Sequence, residues 1–555
     1  MSKLFLWPSI AVRFTRAWVA QDFIPISNGA VFQNPETDRA GFVAQLREAS
    51  LTGHPAVMSF DLTTKYAAEL IATLPDLFAD LRRDGFTFAP LAEVANLGTA
   101  DIAPLDPNSM RARDTVTYRL LNFWYFGLTT TFLVLLVFAI ARSLIYLVLA
   151  FFRKPSPQRD PEYLPGITVV VPAYNEANVI VRSVWSILGS NYPNFEIIVV
   201  DDGSSDGTYE SVNAEFHNHP RVRIIRQENG GKWQAENHAL QYIKTPFFVG
   251  VDADTILDPD ALGWLVQHFK DERVGAVAGF VEVGNRKGYL TSCQALEYLV
   301  SQAVTRRSFE AINGIFVVPG AIGAWRVAAV EAANRYSGDT ITEDADLTVA
   351  VHRAGYTVRF QEQARAYTEA PEQTKAFLKQ RRRWTLGMLQ TSWKHWRSIP
   401  ERRAIGLVSI MDAIWFSLLT SMVSPFVDLL LLSLLVKTLI EYSLHGALNV
   451  TGFPTVVLIS YFVLVVIDMT YTLAAFWFER KFDLKLLLLT IILRFGYRQL
   501  IYFSSFQAIR DAITGRLPGW QKLERTASRL SGNLNLVSPA LVSIKQTDSG
   551  RKMRT

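Results

Sequence analysis

Four apolar stretches in the middle of the chain each run straight into acids or a glycine turn. They read GITVVVPAYNE (166–176), FEIIVVDDGSSDGT (195–208), VRIIRQENGGK (222–232) and PFFVGVDADT (246–255). Continuous apolar strands that alternate with helical patterns predict a parallel sheet covered on both faces, an α/β fold. Ligands of such sheets bind beyond the carboxyl ends of the strands, and all four polar clusters fall at that edge. Turns favour Asp and Gly in any case, so one cluster alone carries little weight. Four at one edge point to a site.

The last stretch places Asp252 and Asp254 two residues apart. On an extended chain their side chains would point to opposite faces, so a turn is expected to begin there. Hard carboxylate oxygens suit Mg²⁺ or Mn²⁺, which take few protein carboxylates and fill their remaining positions with water and phosphate oxygens. A diphosphate is the natural co-ligand. The bland alternative is a solvated Asp-rich turn.

The whole chain is 49% hydrophobic and only 19% charged, which leans toward a membrane protein. Between Arg119 and Arg153 only Arg142 interrupts the apolar run Leu120–Phe152, and a bilayer needs roughly 20 such residues in a helix. Further apolar runs cover 406–439, 454–478 and 484–509, the last carrying Arg494 and Arg498. Buried core helices compete with membrane spans for the first and third runs, and interfacial helices for the other two. Basic residues bunch beside these segments, at Arg153, Lys154 and Arg159, at KQRRR (379–383), and at Arg402 and Arg403. The positive-inside tendency then puts 153–403 in the cytoplasm and 1–118 outside. No nucleic-acid partner is expected; the lipid bilayer is. The one cysteine, Cys293, excludes internal disulfides and a multi-thiolate metal centre. The N-terminus has too short an apolar core for an ordinary signal peptide. The expected organisation is an extracytoplasmic segment (1–118), a membrane helix (119–152), a cytoplasmic catalytic domain (153–403), interfacial and spanning helices (404–510) and a basic tail (511–555).

The motifs VPAYNE, VVDDGSSDGT, NGGK, DAD, TED and QRRRW occur in the order found in processive family-two glycosyltransferases. The chain most resembles bacterial poly-N-acetylglucosamine synthases over about residues 120–525, especially in GIFVVPGAIGAWR and DTITEDADLTVAVHRAGY. Chitin-oligosaccharide, hyaluronan and cellulose synthases are more distant. The resemblance implies a nucleotide-sugar-binding fold of the glycosyltransferase A type, followed by membrane helices. It also implies roles. Ala173, Tyr174 and Glu176 would line the uridine, Asp202 would contact it through its carboxylate, and Lys232 would meet the donor diphosphate. Asp252 and Asp254 would hold the metal, Asp254 most directly. Asp344 would be the base that deprotonates the acceptor hydroxyl, with Glu343 assisting its geometry. Asp346 reads as a solvated or capping residue. Gln380 and Trp384 would bind the acceptor sugar, and Arg383 would grip the pyrophosphate with its planar fork. Arg381 and Arg382 read as membrane-surface charges. Gly320, in PGAIGAWR, lies in the loop that shapes the acceptor pocket, where small residues let a sugar approach the backbone.

Segment 406–441 is too long for one crossing, so either an interfacial helix precedes a span or two short crossings break near Pro425. Charge parity makes 484–509 the expected interfacial segment. Asp412, Asp428 and Asp468 lie in apolar stretches, where acids are costly and often line a path; for Asp412 solvation at a helix end is an equal reading. GWQKLER (519–525) resembles the gating loop, with Trp520, Lys522 and Arg525 as candidate donor contacts. In 1–118, AVMSFD (56–61) and the helix–turn–strand pattern of 74–94 are similar to the tail of a polysaccharide deacetylase. His54 is the only histidine there and Phe60 stands where an active deacetylase carries one, so a non-catalytic remnant is expected.

Together these point to a membrane-embedded inverting synthase in the bacterial inner membrane. It would extend a β-linked N-acetylglucosamine polymer, an exopolysaccharide of biofilms, from UDP-N-acetylglucosamine onto the growing polysaccharide. Accessory export or deacetylase subunits are possible partners. Chitin-oligosaccharide, hyaluronan or β-glucan synthesis is the alternative within the class, and an inactive polysaccharide-binding scaffold the alternative outside it.

Overall fold

The computed structural model describes residues 134–445 and 453–515, with short stretches at 29–32, 57–60, 76, 78–83, 85 and 130–131. The chain divides into two compact units, Met1–Thr131 and Phe132–Thr555. In the first, strand β1 (Gly29–Phe32) pairs in parallel with β2 (Val57–Phe60), and Gly85 turns the chain after a short helix at φ +91°. The strand expected after Gly85 lies outside the described residues.

The second unit holds an eight-stranded sheet in the order β5-β4-β3-β6-β9-β8-β10-β7. Its strands are β3 (Ile167–Ala173), β4 (Phe195–Asp202), β5 (Val222–Gln227), β6 (Phe247–Gly250), β7 (Ile256–Leu257), β8 (Val274–Val283), β9 (Gly323–Arg326) and β10 (Thr357–Thr368). Strands β3 to β6 are parallel, and they are the four apolar stretches of the sequence. The apolar character of β3, β4 and β6 has a direct cause, while the edge strand β5 is only partly buried. Val169, Val171, Ile197 and Val199 face one core layer while Val170, Ile198 and Val200 face the other, so both sides of the pleat are buried. The wholly parallel sheet expected from sequence is corrected in one respect. β9 runs antiparallel to β6 and β8, and β7 antiparallel to β10, which makes the sheet mixed.

That reversed β9 matters for the site. Because Gly250 of β6 pairs with Gly323 at the start of β9, the loop before β9 arrives at the edge where β6 ends. Helices α2 (Ile180–Leu188), α3 (Thr208–Phe216) and α4 (Lys232–Leu240) connect the first strands. Helix α5 (Tyr289–Val300) follows β8; α6 (Glu343–Arg353) precedes β10, and the long α7 (Thr374–Lys394) follows it.

Among the described residues three helices are long and apolar enough to cross a membrane: α1 (Val134–Phe152), the segment Ile405–Leu429, and Ile459–Glu479. A bent pair, Leu484–Ile492 and Tyr497–Thr514, would make a fourth if it counts as one span. The pair bends by 57° around Gly496, which sits at φ +93°. Helix α8 (Leu419–His445) runs through Pro425 without a break, so of the two readings of this segment the one with a break near Pro425 is not what the helix shows. Beyond it come α9 (Phe453–Glu479), α10 (Leu484–Ile492) and α11 (Tyr497–Thr514). The acids in these segments are paired. Asp412 takes a two-pronged ion pair from Arg142 at 2.5 and 2.9 Å, so it is no solvated helix end. Asp468 meets Arg494 and Arg498, each at 2.5 Å, and Asp428 accepts from Gln499 at 2.6 Å.

The membrane helix α1 is fastened to the sheet by one residue past its end. Arg153 is 8% exposed; it donates to Glu310, to Glu362 at 2.9 Å and to the Phe360 carbonyl at 2.6 Å. Glu310 in turn accepts the Phe360 backbone N–H at 3.1 Å. Removing one partner of such a pair leaves a buried charge uncompensated, so Arg153→Met is expected to cost about 3–5 kcal/mol. Unfolding of the detergent-solubilised protein measures it.

His268 is also buried, with Nε2 and the Gln361 Oε1 2.6 Å apart. Burial, aided by the Arg359 and Arg153 charges, lowers its pKa to about 4. The folded value lies below the unfolded one of roughly 6.5, so the fold holds the neutral ring. Its contribution is complete above pH about 6.5 and is lost as pH falls toward 4. His268→Asn is therefore expected to flatten the decline of stability with falling pH across that window, relative to the unaltered protein.

Candidate active site

Strand β6 ends at Gly250, and the chain then turns: the Thr255 N–H donates to the Asp252 carbonyl at 3.0 Å. The turn separates the two aspartates. The Asp252 side chain stays partly open, 38% exposed, and Asp254 is buried at 3%. Lys232, the first residue of α4, reaches Asp252 at 2.8 Å and Glu343 at 3.0 Å. Glu343 and Asp344 begin α6, where the positive end of the helix dipole favours acids. Asp344 accepts the Ala345 N–H at 2.8 Å and, through its other oxygen, the Gly320 N–H at 3.3 Å. Thr348 of α6 holds the same loop by accepting the Val318 N–H at 2.9 Å.

Gly320 is the floor of this arrangement. A Cβ there would lie 2.4 Å from Lys232 Nζ and 3.2 Å from Asp252 Oδ1, so any side chain would intrude on the cradle. Asp252, Lys232, Gly320, Glu343 and Asp344 thus converge from four separate segments of the chain.

The electrostatics are dominated by acids around one ammonium. Burial by itself would lower the Lys232 pKa, but Asp252, Glu343, Glu236 and Asp344 outweigh it and hold the lysine well above its ordinary value. Asp344 is pushed up to about 6, first by burial and then by the Glu343 charge. Glu236 rises well above the carboxylate range because it is buried, although Lys232 opposes the rise. Sequence reading passed over Glu236. Its signal was the i,i+4 spacing from Lys232, and the two side chains lie 3.9 Å apart on α4.

For a divalent cation, the donor set is two hard carboxylates, Asp252 and Asp254, beside a glycine-floored cradle in which Lys232 now supplies the positive charge. Among the described residues no group of three or more His, Cys, Asp or Glu side chains is arranged to hold a metal. The residues fit an ion that takes two protein carboxylates and completes its shell with phosphate and water.

Other expected residues fall as follows. Tyr174 and Glu176 are half-buried just past the end of β3. Ala173 is 1% exposed and packs in the core, so its side chain lines no open surface. Asp202 is corrected too. It is fully buried, and its carboxylate accepts from Gln227 at 2.7 Å and from the Gly230 and Gly231 N–H groups at 2.9 Å each. It shapes the NGGK loop that presents Lys232 and has no face left for a nucleoside.

On α7, the arginine run divides. Arg381 and Arg382 are not surface charges: Arg381 pairs with Glu297 of α5 at 2.6 Å, and Arg382 pairs with Asp511 of α11. Arg383 makes no hydrogen bond or ion pair among the described residues. Gln380 is 8% exposed with a side-chain oxygen that accepts no hydrogen bond among the described residues, and Trp384 lies half-buried with the Arg381 guanidinium 4.6 Å from its ring centre. Asp346 is likewise no solvated cap; it is buried and holds Lys394 and His395 of the α7 end, each at 2.7 Å. Trp520, Lys522 and Arg525 lie outside the described residues.

Residues 165–387 match the family described as "Glycosyltransferase like family 2". The segment is similar to that family, and its mixed sheet with flanking helices is glycosyltransferase A-like. The chain is 31% identical over 232 residues to a poly-beta-1,6-N-acetyl-D-glucosamine synthase of Staphylococcus aureus, covering 42% of this chain and 56% of that protein. It is 27% identical over 296 residues to one of Staphylococcus epidermidis, covering 52% of this chain and 71% of the relative. The chain thus matches little more than half the length of the first of these relatives. Among solved structures it is similar to a mannosyltransferase from Pyrobaculum calidifontis in complex with GDP-Man and Mn²⁺, at a TM-score of 0.46 and 20% identity, covering 67% of this chain and 97% of that one. At that score the likeness carries no argument.

The approach of α7 to the acids gives a sharp test. A Cβ on Gly387 would lie 2.4 Å from the Thr342 methyl, beside the first turn of α6. Gly387→Val is expected to cost about 1–3 kcal/mol by overpacking and to lower any transfer rate more than tenfold. Unfolding and turnover measured on the same preparation separate the two effects.

Proposed function

We propose that the protein is a membrane-embedded inverting glycosyltransferase that polymerises β-linked N-acetylglucosamine from UDP-N-acetylglucosamine and moves the product across the bilayer. The observation that carries this reading is the meeting of Lys232 with Asp252 and Glu343 beside an Asp344 carboxylate seated against Gly320. The two staphylococcal relatives, by their names, favour this sugar. The apolar helices favour a bacterial inner-membrane location, and the basic residues beside them favour the cytoplasmic side for the catalytic domain.

In this mechanism Lys232 and Arg383 hold the donor diphosphate, one as a point charge and the other through a planar fork. Asp252 and Asp254 would bind Mg²⁺ or Mn²⁺, which when present neutralises charge on the leaving diphosphate. The acceptor hydroxyl attacks the anomeric carbon from the face opposite UDP. Its proton passes to Asp344 as the new C–O bond forms, and the electron pair of the breaking bond leaves with the diphosphate. A carboxylate with a raised pKa is a better base than an ordinary aspartate yet stays largely ionised near neutrality. Glu343 fixes the Lys232 side chain. Gln380, whose amide oxygen accepts no hydrogen bond among the described residues, is suited to receive an acceptor hydroxyl, and the half-buried Trp384 would stack its indole on a pyranose face.

Asp344→Asn is expected to lower transfer by about 10²–10⁴-fold while UDP affinity changes by less than roughly threefold. The assay uses the full chain in lipid with Mg²⁺ or Mn²⁺ and each UDP-sugar in turn. UDP release reports turnover, and digestion by linkage-specific hydrolases identifies the polymer. Full turnover in the variant would remove Asp344 from the mechanism, and turnover only with another UDP-sugar would replace the substrate.

A further inference from the structure

The Lys232 ammonium lies 2.8 Å from Asp252, one of the two carboxylates suited to a divalent ion. Two cations at hydrogen-bond distance from one carboxylate repel each other. Lys232 therefore has to give ground when Asp252 turns to such an ion, and another acceptor must receive it.

An ammonium carries three N–H donors on a flexible four-carbon stem. The two short ion pairs of Lys232 go to Asp252 and to Glu343, the latter at 3.0 Å. A third, longer one runs to Glu236 Oε1 at 3.9 Å, one helical turn along α4. Glu236 is 6% exposed, and its other oxygen, Oε2, accepts no hydrogen bond among the described residues. The mechanism above gives this buried acid no task.

The helix that carries Glu236 is held on both sides of it. The Asn237 amide donates to the Tyr336 carbonyl at 2.8 Å and accepts the Tyr336 N–H at 3.1 Å. Trp233 packs on Gly338, where a Cβ would come within 2.7 Å of the indole. Both contacts tie α4 to the loop that leads into α6. The acceptor is thus fixed, and the lysine stem is the part free to move. A shift of about 1 Å brings Nζ within ordinary hydrogen-bond distance of Glu236 Oε1.

We propose that Glu236 is a positioning residue for metal binding: it receives the Lys232 ammonium as Asp252 is given over to a divalent ion, and so sets how tightly that ion is held. The proposal rests on the metal role given above to Asp252 and Asp254. Glu343 keeps the ammonium beside the site, where it can still meet a diphosphate. A carboxyl oxygen accepts an ammonium N–H whether or not the group carries a proton, so an acceptor oxygen at this place is what matters. With leucine there, Lys232 has only Asp252 and Glu343 to turn to, and it competes with the ion.

The test uses the full chain in detergent and Mn²⁺ alone, with no sugar donor, and reads the free Mn²⁺ signal by electron paramagnetic resonance. Glu236→Leu is expected to weaken Mn²⁺ binding by roughly tenfold, and Glu236→Gln, which keeps an acceptor oxygen, by less than roughly threefold. In a Lys232→Met background Glu236→Leu is expected to change nothing, because no ammonium is left to place. Unchanged affinity in Glu236→Leu overturns the proposal, and so does an equal loss in both backgrounds, which marks a merely structural effect. A loss in Glu236→Gln as large as in Glu236→Leu overturns the acceptor role. Should Glu236→Leu not fold, Glu236→Met in the same two backgrounds decides by the same criteria. No Mn²⁺ binding by the unaltered chain, or binding that survives Asp254→Asn, removes the metal pair and the proposal together. Binding that needs Asp254 and ignores Glu236 removes the proposal alone.

Discussion

The Lys232 ammonium sits among four carboxylates, Asp252, Glu343, Glu236 and Asp344, and the rest of the active edge is organised around that imbalance. Acids brought this close repel one another, and burial raises the cost of each charge. The protein offsets it in several ways. Lys232 supplies one positive charge, the α6 N-terminus adds its dipole to Glu343 and Asp344, and burial raises the pKa of Glu236. What is left is an excess of acid at one open carboxylate, Asp252. A site built this way gains from any cationic ligand set, which is the electrostatic condition for gripping a diphosphate through a divalent ion.

Helix α7 carries that site to the membrane region. Near its middle, Gly387 lets it approach Thr342 closely, and the Ile341 N–H donates to Gln390 at 3.0 Å. At its end Lys394 and His395 clasp Asp346 on α6. Arg381 and Arg382 reach the other way, to Glu297 and to Asp511 on α11. Together these contacts leave Gln380, Arg383 and Trp384 on a helix braced from both sides. Bracing of this kind narrows the geometries a bound acceptor can sample, which is what a transfer reaction needs.

Much of the sheet was legible because strands buried on both faces must be largely apolar, as β3, β4 and β6 are; the edge strand β5, VRIIRQ, is only partly buried. The reversed β9 was not. GAWR has no feature that tells its direction, yet its direction is what delivers Gly320 to Asp252. The same limit applies to charge. Asp202 looks like a ligand-binding acid in a Gly-Ser-Asp turn, and the backbone N–H groups of Gly230 and Gly231 that claim it belong to another loop. Arg381 and Arg382 look like membrane-surface charges, and their partners lie on helices far along the chain. Glu236 carried a faint local trace in its spacing from Lys232, but its burial among other acids did not.

Taken alone, the residue order determined which segments are apolar on every face, where each strand gives way to a turn, and which acids stand at the turns. These depend on neighbours within a few positions, so they can be read directly. Tertiary structure decided which acid meets which cation, which arginines of the run are claimed by distant acids, and that Asp344 comes to rest against Gly320. Such pairings are made between distant segments by strand direction and helix packing, and the identity of either residue says nothing about where the other will arrive.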